Sequence, residues 1–408
     1  MKETIPRLRK DIDIIPTSYQ GEKVLLVKDL LGLIPHPVLL KGEALQIIGL
    51  IDGRRSIRDI QLEIMRLHGG VMVRTEDVEE MISQLDEVFL LDSQEYRKKK
   101  SEIIQDYMQR SIRDASLVGK AYPEEPDRLN AYIRSILDLS EKRPDVLEGK
   151  RVSGLVAPHI DLEVGKRIYA EAYRVLEGLS PKKILVIGTG HNLSESYFSL
   201  TTKDFVTPLG RVNTDRDWVE KLKGLSPPGL IAPHDIDHKN EHSLEFQILF
   251  LQHIFGDEFR LLPVLCGSFH QALQRFSGLR EIPGMSDFIS GLLPFLDDED
   301  EPSLVVAGVD LSHIGPKFGH RESATSLLLE AKQHDQCLLD ALSQGDGASF
   351  WSSVQEKNNR YNVCGFSTLA LFLELFSSKR GYVLGYDFWM EEATQSAVSY
   401  AALAFPHT

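Results

Sequence analysis

The chain has 408 residues, 42% of them hydrophobic, which is enough for two domains with ordinary packed cores. Its formal charge of −14 argues against a protein that grips nucleic-acid phosphates, because that work rests on clustered Lys and Arg. Three cysteines, acidic residues where a signal peptide needs an apolar core, and no run approaching ~18 apolar residues lead us to expect a cytoplasmic protein without a membrane span.

The first hundred residues carry 16 Lys or Arg against 17 Asp or Glu, so most of the negative charge lies further on. Within them ALQIIGLIDG, SIRDIQLEIMRLHGG and EDVEEMISQLDEVFLLD read as three short amphipathic helices. Pro35 and Pro37 precede the first, and Ser56 and Thr75 are placed to cap the second and third through their hydroxyls. This is a winged-helix pattern, and over roughly residues 20–95 it resembles PqqD-like domains. The resemblance implies docking of a peptide or partner protein. A DNA-reading winged helix is disfavoured because the segment lacks a basic footprint. The basic run Arg97 to Lys100 reads as the solvated end of a linker helix. We therefore expect a small domain over 1–100 and a larger one over 101–408 that includes the connecting helix.

Residues 101–150 are polar and mostly helical, with LNAYIRSILDL the clearest amphipathic stretch. After them VSGLVAPH, KKILVIGTGH, FRLLPVLCGS and SLVVAGVDLSH each set a β-branched and Leu-rich run directly before a turn. Helical segments between several of these runs predict a mainly parallel sheet covered by helices. GYVLGYDFWM and SAVSYAALAF read as two further strands joined by EEATQ. The acidic cluster Asp297 to Glu301 reads as a solvated loop.

In an open parallel sheet, ligands gather beyond the carboxyl ends of the strands. His159 follows VSGLVAP and His191 follows KKILVIGTG, with the helical EVGKRIYAEAYRVLEGL between them. A right-handed crossover sets two such strands side by side or one apart, roughly 5 to 10 Å across the sheet, within reach of one metal ion. A third run ends in Asp310, with His313 in the same turn. A single histidine after a strand is more often a hydrogen-bonded loop residue, but several strand ends bearing His or Asp are harder to explain by accident.

Cys364 stands just before an apolar helix, where unsatisfied N–H groups favour a thiolate; the alternative is a small buried side chain, the reading given to Cys266 and Cys337. His234, His238 and His242 are spaced by four, yet the first half of that stretch reads as loop, leaving His242 at the start of an apolar helix. GTGHN after a strand lacks the third glycine of a dinucleotide site.

The string of AP-His159, IGTG-His191, Glu241-His242-Ser243-Leu244-Glu245, Asp310-Leu311-Ser312-His313, Cys364-Gly365 and SAVSYAA resembles the Memo family in order and spacing. RDASLVGKAY extends the likeness upstream, with Leu117 where members often carry histidine. The resemblance implies a three-layer α/β/α fold similar to class III extradiol dioxygenases, with a metal ion held by His159, His191 and Cys364. His242, Asp310 and His313 would complete a catalytic pocket. Iron or copper, with zinc as the alternative, suits imidazole and thiolate donors. A cysteine in place of the carboxylate departs from the iron dioxygenases. The implied activity is non-haem redox or dioxygenase-like chemistry on a small molecule or peptide. The rivals are a non-catalytic peptide-binding module and metal-assisted hydrolysis. Bacterial and archaeal relatives are commonly described as AmmeMemoRadiSam system protein B, which implies a radical-SAM protein and an AMMECR-type protein as partners.

Overall fold

The computed structural model describes residues 4–29, 31–34, 38–41, 43–140, 144–296 and 302–407. Pro35, Pro37 and the cluster Asp297 to Glu301 lie outside them. The chain divides into two compact units, Met1–Gln109 and Arg110–Thr408.

The first unit opens with β1 (Ile12–Tyr19), β2 (Glu22–Asp29) and β3 (Val38–Leu40), an antiparallel sheet in that order. Gln20 and Gly21 have φ of 53° and 81°, the positive pair that a tight two-residue hairpin needs. Four helices follow: α1 (Glu43–Ile48), α2 (Ile57–Leu67), α3 (Thr75–Glu87) and α4 (Gln94–Gln109). The expected break after residue 100 falls inside α4, and the division comes at that helix's end. Val27, Leu40, Ile60, Ile64, Val78 and Leu85 are among the core residues that bring sheet and helices together.

Ser56 caps α2 as expected, its hydroxyl accepting from Asp59 N while Asp59 accepts from Ser56 N at 2.9 Å. Thr75 does not cap α3. Arg74 occupies that position without a side-chain bond, and Thr75 lies inside the first turn with its hydroxyl 3.4 Å from Gln61 Oε1. Glu76 and Asp77 meet the positive end of the helix dipole there instead.

The second unit's strands are β4 (Ile112–Asp114), β5 (Val152–Ala157), β6 (Lys183–Thr189), β7 (Phe198–Leu200), β8 (Asp204–Thr207), β9 (Gly210–Thr214), β10 (Arg260–Cys266), β11 (Ser303–Gly308), β12 (His313–Ile314), β13 (Tyr382–Glu391) and β14 (Ser396–Pro406). Its helices are α5 (Pro126–Leu137), α6 (Leu162–Arg174), α7 (Arg216–Leu225), α8 (His242–Phe255), α9 (His270–Leu273), α10 (Met285–Leu296), α11 (Ala324–Gln344), α12 (Gly347–Glu356) and α13 (Phe366–Leu375). The strands form one mixed sheet in the order β12-β14-β5-β11-β6-β10-β9-β8-β4, with β13 on β14 and β7 on β10. Its centre, β5-β11-β6-β10-β9, is parallel, and the hairpin of β13 and β14 completes the sheet antiparallel to β5.

β5, β11, β6 and β10 are buried on both faces, which is why they read as continuous apolar runs, whereas β9 alternates buried and exposed residues. Leu185 and Ile187 of β6 join a core with α7, α10, α12 and α13, whereas Ile184 and Val186 join one with α5, α6 and α8. Helices on both sides of the sheet make the three layers. β11 lies between β5 and β6, so the two strands leading to His159 and His191 are one apart, and all three end at the same rim. Among the described residues no helix is long and apolar enough to cross a membrane.

Candidate metal centre

His159 leaves β5 buried, at 2% exposure. Its backbone N–H donates to Asp310 Oδ1 at 3.1 Å, and the next N–H, from Ile160, reaches the same oxygen at 3.2 Å. Its ring Nδ1 lies 3.1 Å from the carbonyl of Gly308 at the end of β11. A carbonyl can only accept, so Nδ1 carries the proton and Nε2 presents a lone pair.

His191 leaves β6 and is held by Glu241, the residue before α8. Glu241 Oε2 accepts from His191 N at 2.9 Å, and Oε1 lies 3.0 Å from the ring Nδ1. The same reasoning frees Nε2.

Cys364 arrives from the turn before α13. Cys364 N donates to Leu311 O at 3.0 Å and Gly365 N to Asp310 O at 2.8 Å, which pins this turn to the one after β11. The approach is close enough that a Cβ on Gly365 would stand 2.6 Å from Val309 Cβ and 2.7 Å from Asp310 O. The thiol sulfur thereby comes to 3.4 Å from His159 Nε2 and 3.6 Å from His191 Nε2. Around a tetrahedral ion with ordinary metal–sulfur and metal–nitrogen bonds, sulfur and nitrogen stand about 3.5 Å apart. The donor set therefore fits one metal ion.

His242, the first residue of α8, completes a triangle of imidazoles. Its ring centroid is 5.2 Å from that of His159 and 4.8 Å from that of His191, which are 5.0 Å from each other. Ligand atoms of these three histidines lie within 4.8 Å of one another, a second set able to hold a cation.

Asp310 is buried and serves chiefly as an acceptor for the loop carrying His159, with Oδ2 3.6 Å from His159 Nε2. Burial pushes its carboxyl up to about 7, against the pull of the His159 and Ile160 N–H bonds. His313 stands outside the imidazole triangle: its Nδ1 is 3.1 Å from Leu311 O and its ring packs edge-on to Phe318 at 4.8 Å. Burial lowers the His242 and His313 rings to about 4, opposed by Glu241 for the former and by the Leu311 carbonyl for the latter. Burial, then the neighbouring His191 and His242, lowers His159 well below the usual imidazole range. His191 goes the other way: burial lowers it, but Glu241 and Cys364 outweigh that and raise it.

The remaining candidates separate from the centre. His238 is buried with Nε2 3.0 Å from Ser199 O, and neither it nor His234 joins the cluster. Cys266 is buried in β10, as expected, whereas Cys337 is exposed, because it faces outward from α11 rather than into the core. Glu241 was missed as a site residue by sequence reasoning. A carboxylate before a helix reads simply as an N-cap, and Glu241 does accept from Ser243 N; the signal lay in its direct adjacency to His242.

A cleft of about 500 Å³ opens beside His191 and Cys364. Ser194, Glu195, Tyr197, His270, Gln271 and Asn359 line it, and no Lys or Arg does among the described residues.

The sequence profile of the family described as Memo-like protein matches residues 113–404. A MEMO1 family protein of Aquifex aeolicus is 29% identical over 389 residues, covering 94% of this chain and 96% of its own. One from Thermus thermophilus is 27% identical, covering 86% and 98%, and one from Methanopyrus kandleri 26%, covering 72% and 98%.

Proposed function

The chain belongs to the Memo family, and from that footing we propose that its second unit holds a metal ion through His159, His191 and Cys364 for non-haem redox, dioxygenase-like chemistry on a small molecule or peptide. The observation that carries the reading is the meeting of Cys364 Sγ with two imidazole Nε2 atoms at 3.4 and 3.6 Å, each ring's other nitrogen already engaged. Imidazole and thiolate together suit iron, copper or zinc rather than magnesium or calcium. Such an ion would supply electron transfer or polarise a bound substrate oxygen.

The protein's own part is arrangement and proton handling. Asp310 holds the loop that carries His159, and Glu241 holds His191. His242 faces Glu241 through Nδ1 at 3.3 Å, which leaves Nε2 as the atom to take up or return a proton. His313 has its Nδ1 engaged by Leu311 O and would exchange a proton at Nε2. The cleft next to His191 and Cys364 admits the substrate and offers it hydroxyl and amide partners.

A second donor set, His159, His191 and His242, is supported by the proximity of their ligand atoms. We also propose, from its sequence pattern alone, that the first unit is PqqD-like and docks a peptide or protein, and that a radical-SAM protein and an AMMECR-type protein are partners. Purifying the full chain with each partner tests this, and no co-migration at micromolar concentration would count against it. The direct test of the metal site is elemental analysis of protein purified without added metal. A His159→Ala/Cys364→Ala double variant is expected to carry far less metal, and equal content in both would remove the ligand assignment.

A further inference from the structure

We propose that Glu241 is the positioning residue of this centre: one buried carboxylate that fixes His191 with its proton on Nδ1 and holds His242 beside it. The inference rests on the metal-site reading above for its purpose, but on Glu241's own contacts for its content.

Glu241 is 3% exposed and receives two backbone donors, His191 N and Ser243 N, both at 2.9 Å. The ring Nδ1 of His191 stands 3.0 and 3.1 Å from its two oxygens. A carboxylate so placed has only lone pairs to offer, so Nδ1 carries a proton, and Nε2, 3.6 Å from Cys364 Sγ, is the nitrogen left to meet a metal ion. His242 Nδ1 lies 3.3 Å from Oε1, so the same charge also faces the second imidazole.

The carboxylate is itself braced. Arg113 Nη2 donates to the backbone carbonyl of Glu241 at 2.7 Å, and its Nε to that of His238 at 3.0 Å. Arg113 is paired with Glu245, one turn into α8, and both side chains are buried. Glu245 also accepts from Ser116 N at 2.9 Å and Leu117 N at 3.0 Å. From the other side, Ser243 Oγ donates to Thr189 O at 2.8 Å, at the end of β6. A Cβ on Gly188 would come within 2.5 Å of Ser243 Oγ, so β6 and the start of α8 sit as close as backbone permits. Arg113 thus holds the Glu241 backbone, while Ser116 and Leu117 steady the Glu245 that pairs with Arg113.

The experiment uses full-length protein labelled with nitrogen-15 at histidine, first without metal. In the wild type, at a pH high enough to leave the His191 ring neutral, its single proton is expected on Nδ1 and not on Nε2. In Glu241→Ala this preference is expected to be lost at His191 and kept at His159, whose partner is the Gly308 carbonyl. Glu241→Gln, which preserves volume and one acceptor, is expected to fall between. Cobalt(II) affinity should drop by about 10- to 100-fold in Glu241→Ala and by less in Glu241→Gln. An unchanged His191 tautomer in both variants, or the same change at His159, would overturn the proposal. Failure of the wild type to bind cobalt would instead overturn the metal reading, because the tautomer is measured without metal.

Discussion

His159 gives its Nδ1 proton to a backbone carbonyl at the end of a buried parallel strand, whereas His191 gives its own to a carboxylate at the start of a helix. The first ring is almost fully enclosed; the second has 36% of its side chain exposed and borders the cleft. A peptide carbonyl cannot change charge and moves only with the sheet, so the His159 half is set by the fold. Glu241 carries charge and is steadied by a buried ion pair, so the His191 half is set by electrostatics. Two imidazoles at one centre can thus be oriented alike while one is held rigidly and the other made more basic.

Removing the ion pair behind Glu241 should break the comparison most severely. Glu245→Gln leaves the Arg113 charge buried without its partner, and urea unfolding should show a loss of about 3–5 kcal/mol. Burial raises the Glu245 carboxyl, but Arg113, the Ser116 N–H and Tyr122 outweigh it and hold the group below its ordinary value. A lowered folded-state value means its stabilisation is full above about pH 4.5 and is lost as the pH falls below that. The wild type should therefore weaken on acidification more steeply than Glu245→Gln.

On the His159 side the largest effect should come from Gly365→Ala. The added methyl meets Val309 and the Asp310 carbonyl, so overpacking should cost about 1–3 kcal/mol and weaken metal binding by displacing Cys364. Asp310→Asn keeps an acceptor for the two N–H groups and should cost less at neutral pH. The raised Asp310 value gives the opposite linkage: its contribution is full below about pH 3.8 and is lost as the pH rises through about 7. In metal-free protein, stability of the wild type relative to Asp310→Asn should accordingly fall between pH 4 and 7, and a flat difference would contradict the assignment. The smallest change is expected from His242→Ala, which should keep its metal if the thiol set is the ligand set. Loss of the ion in that variant would favour the three-imidazole set instead.

The rim of the sheet was legible in sequence because β5, β6 and β11 are buried on both faces and so write apolar runs that stop at or just before the candidate site residues. His159, His191 and Asp310 all follow such runs, and Cys364 precedes a helix buried along most of its length. Glu241 and Arg113 were not legible as site residues. Adjacency to His242 was a hint for Glu241, but the parts of both residues depend on which backbone groups lie opposite them across 50 and 128 residues of chain. The β1–β2 hairpin went unread because its strands mix apolar with charged and hydroxyl residues, and its turn, Gln20-Gly21, is not one of the common hairpin pairs. Cap chemistry points to Thr75, one residue past the position that Arg74 takes, and a single residue of register defeats such a reading.

Cobalt(II) titration of the full-length protein, followed by absorbance, asks most directly whether a thiol and two imidazoles share one ion. One equivalent is expected to produce a sulfur-to-cobalt charge-transfer band that is absent from Cys364→Ser and from the His159→Ala/His191→Ala pair. A wild-type spectrum without that band, or one unchanged in Cys364→Ser, would contradict the account.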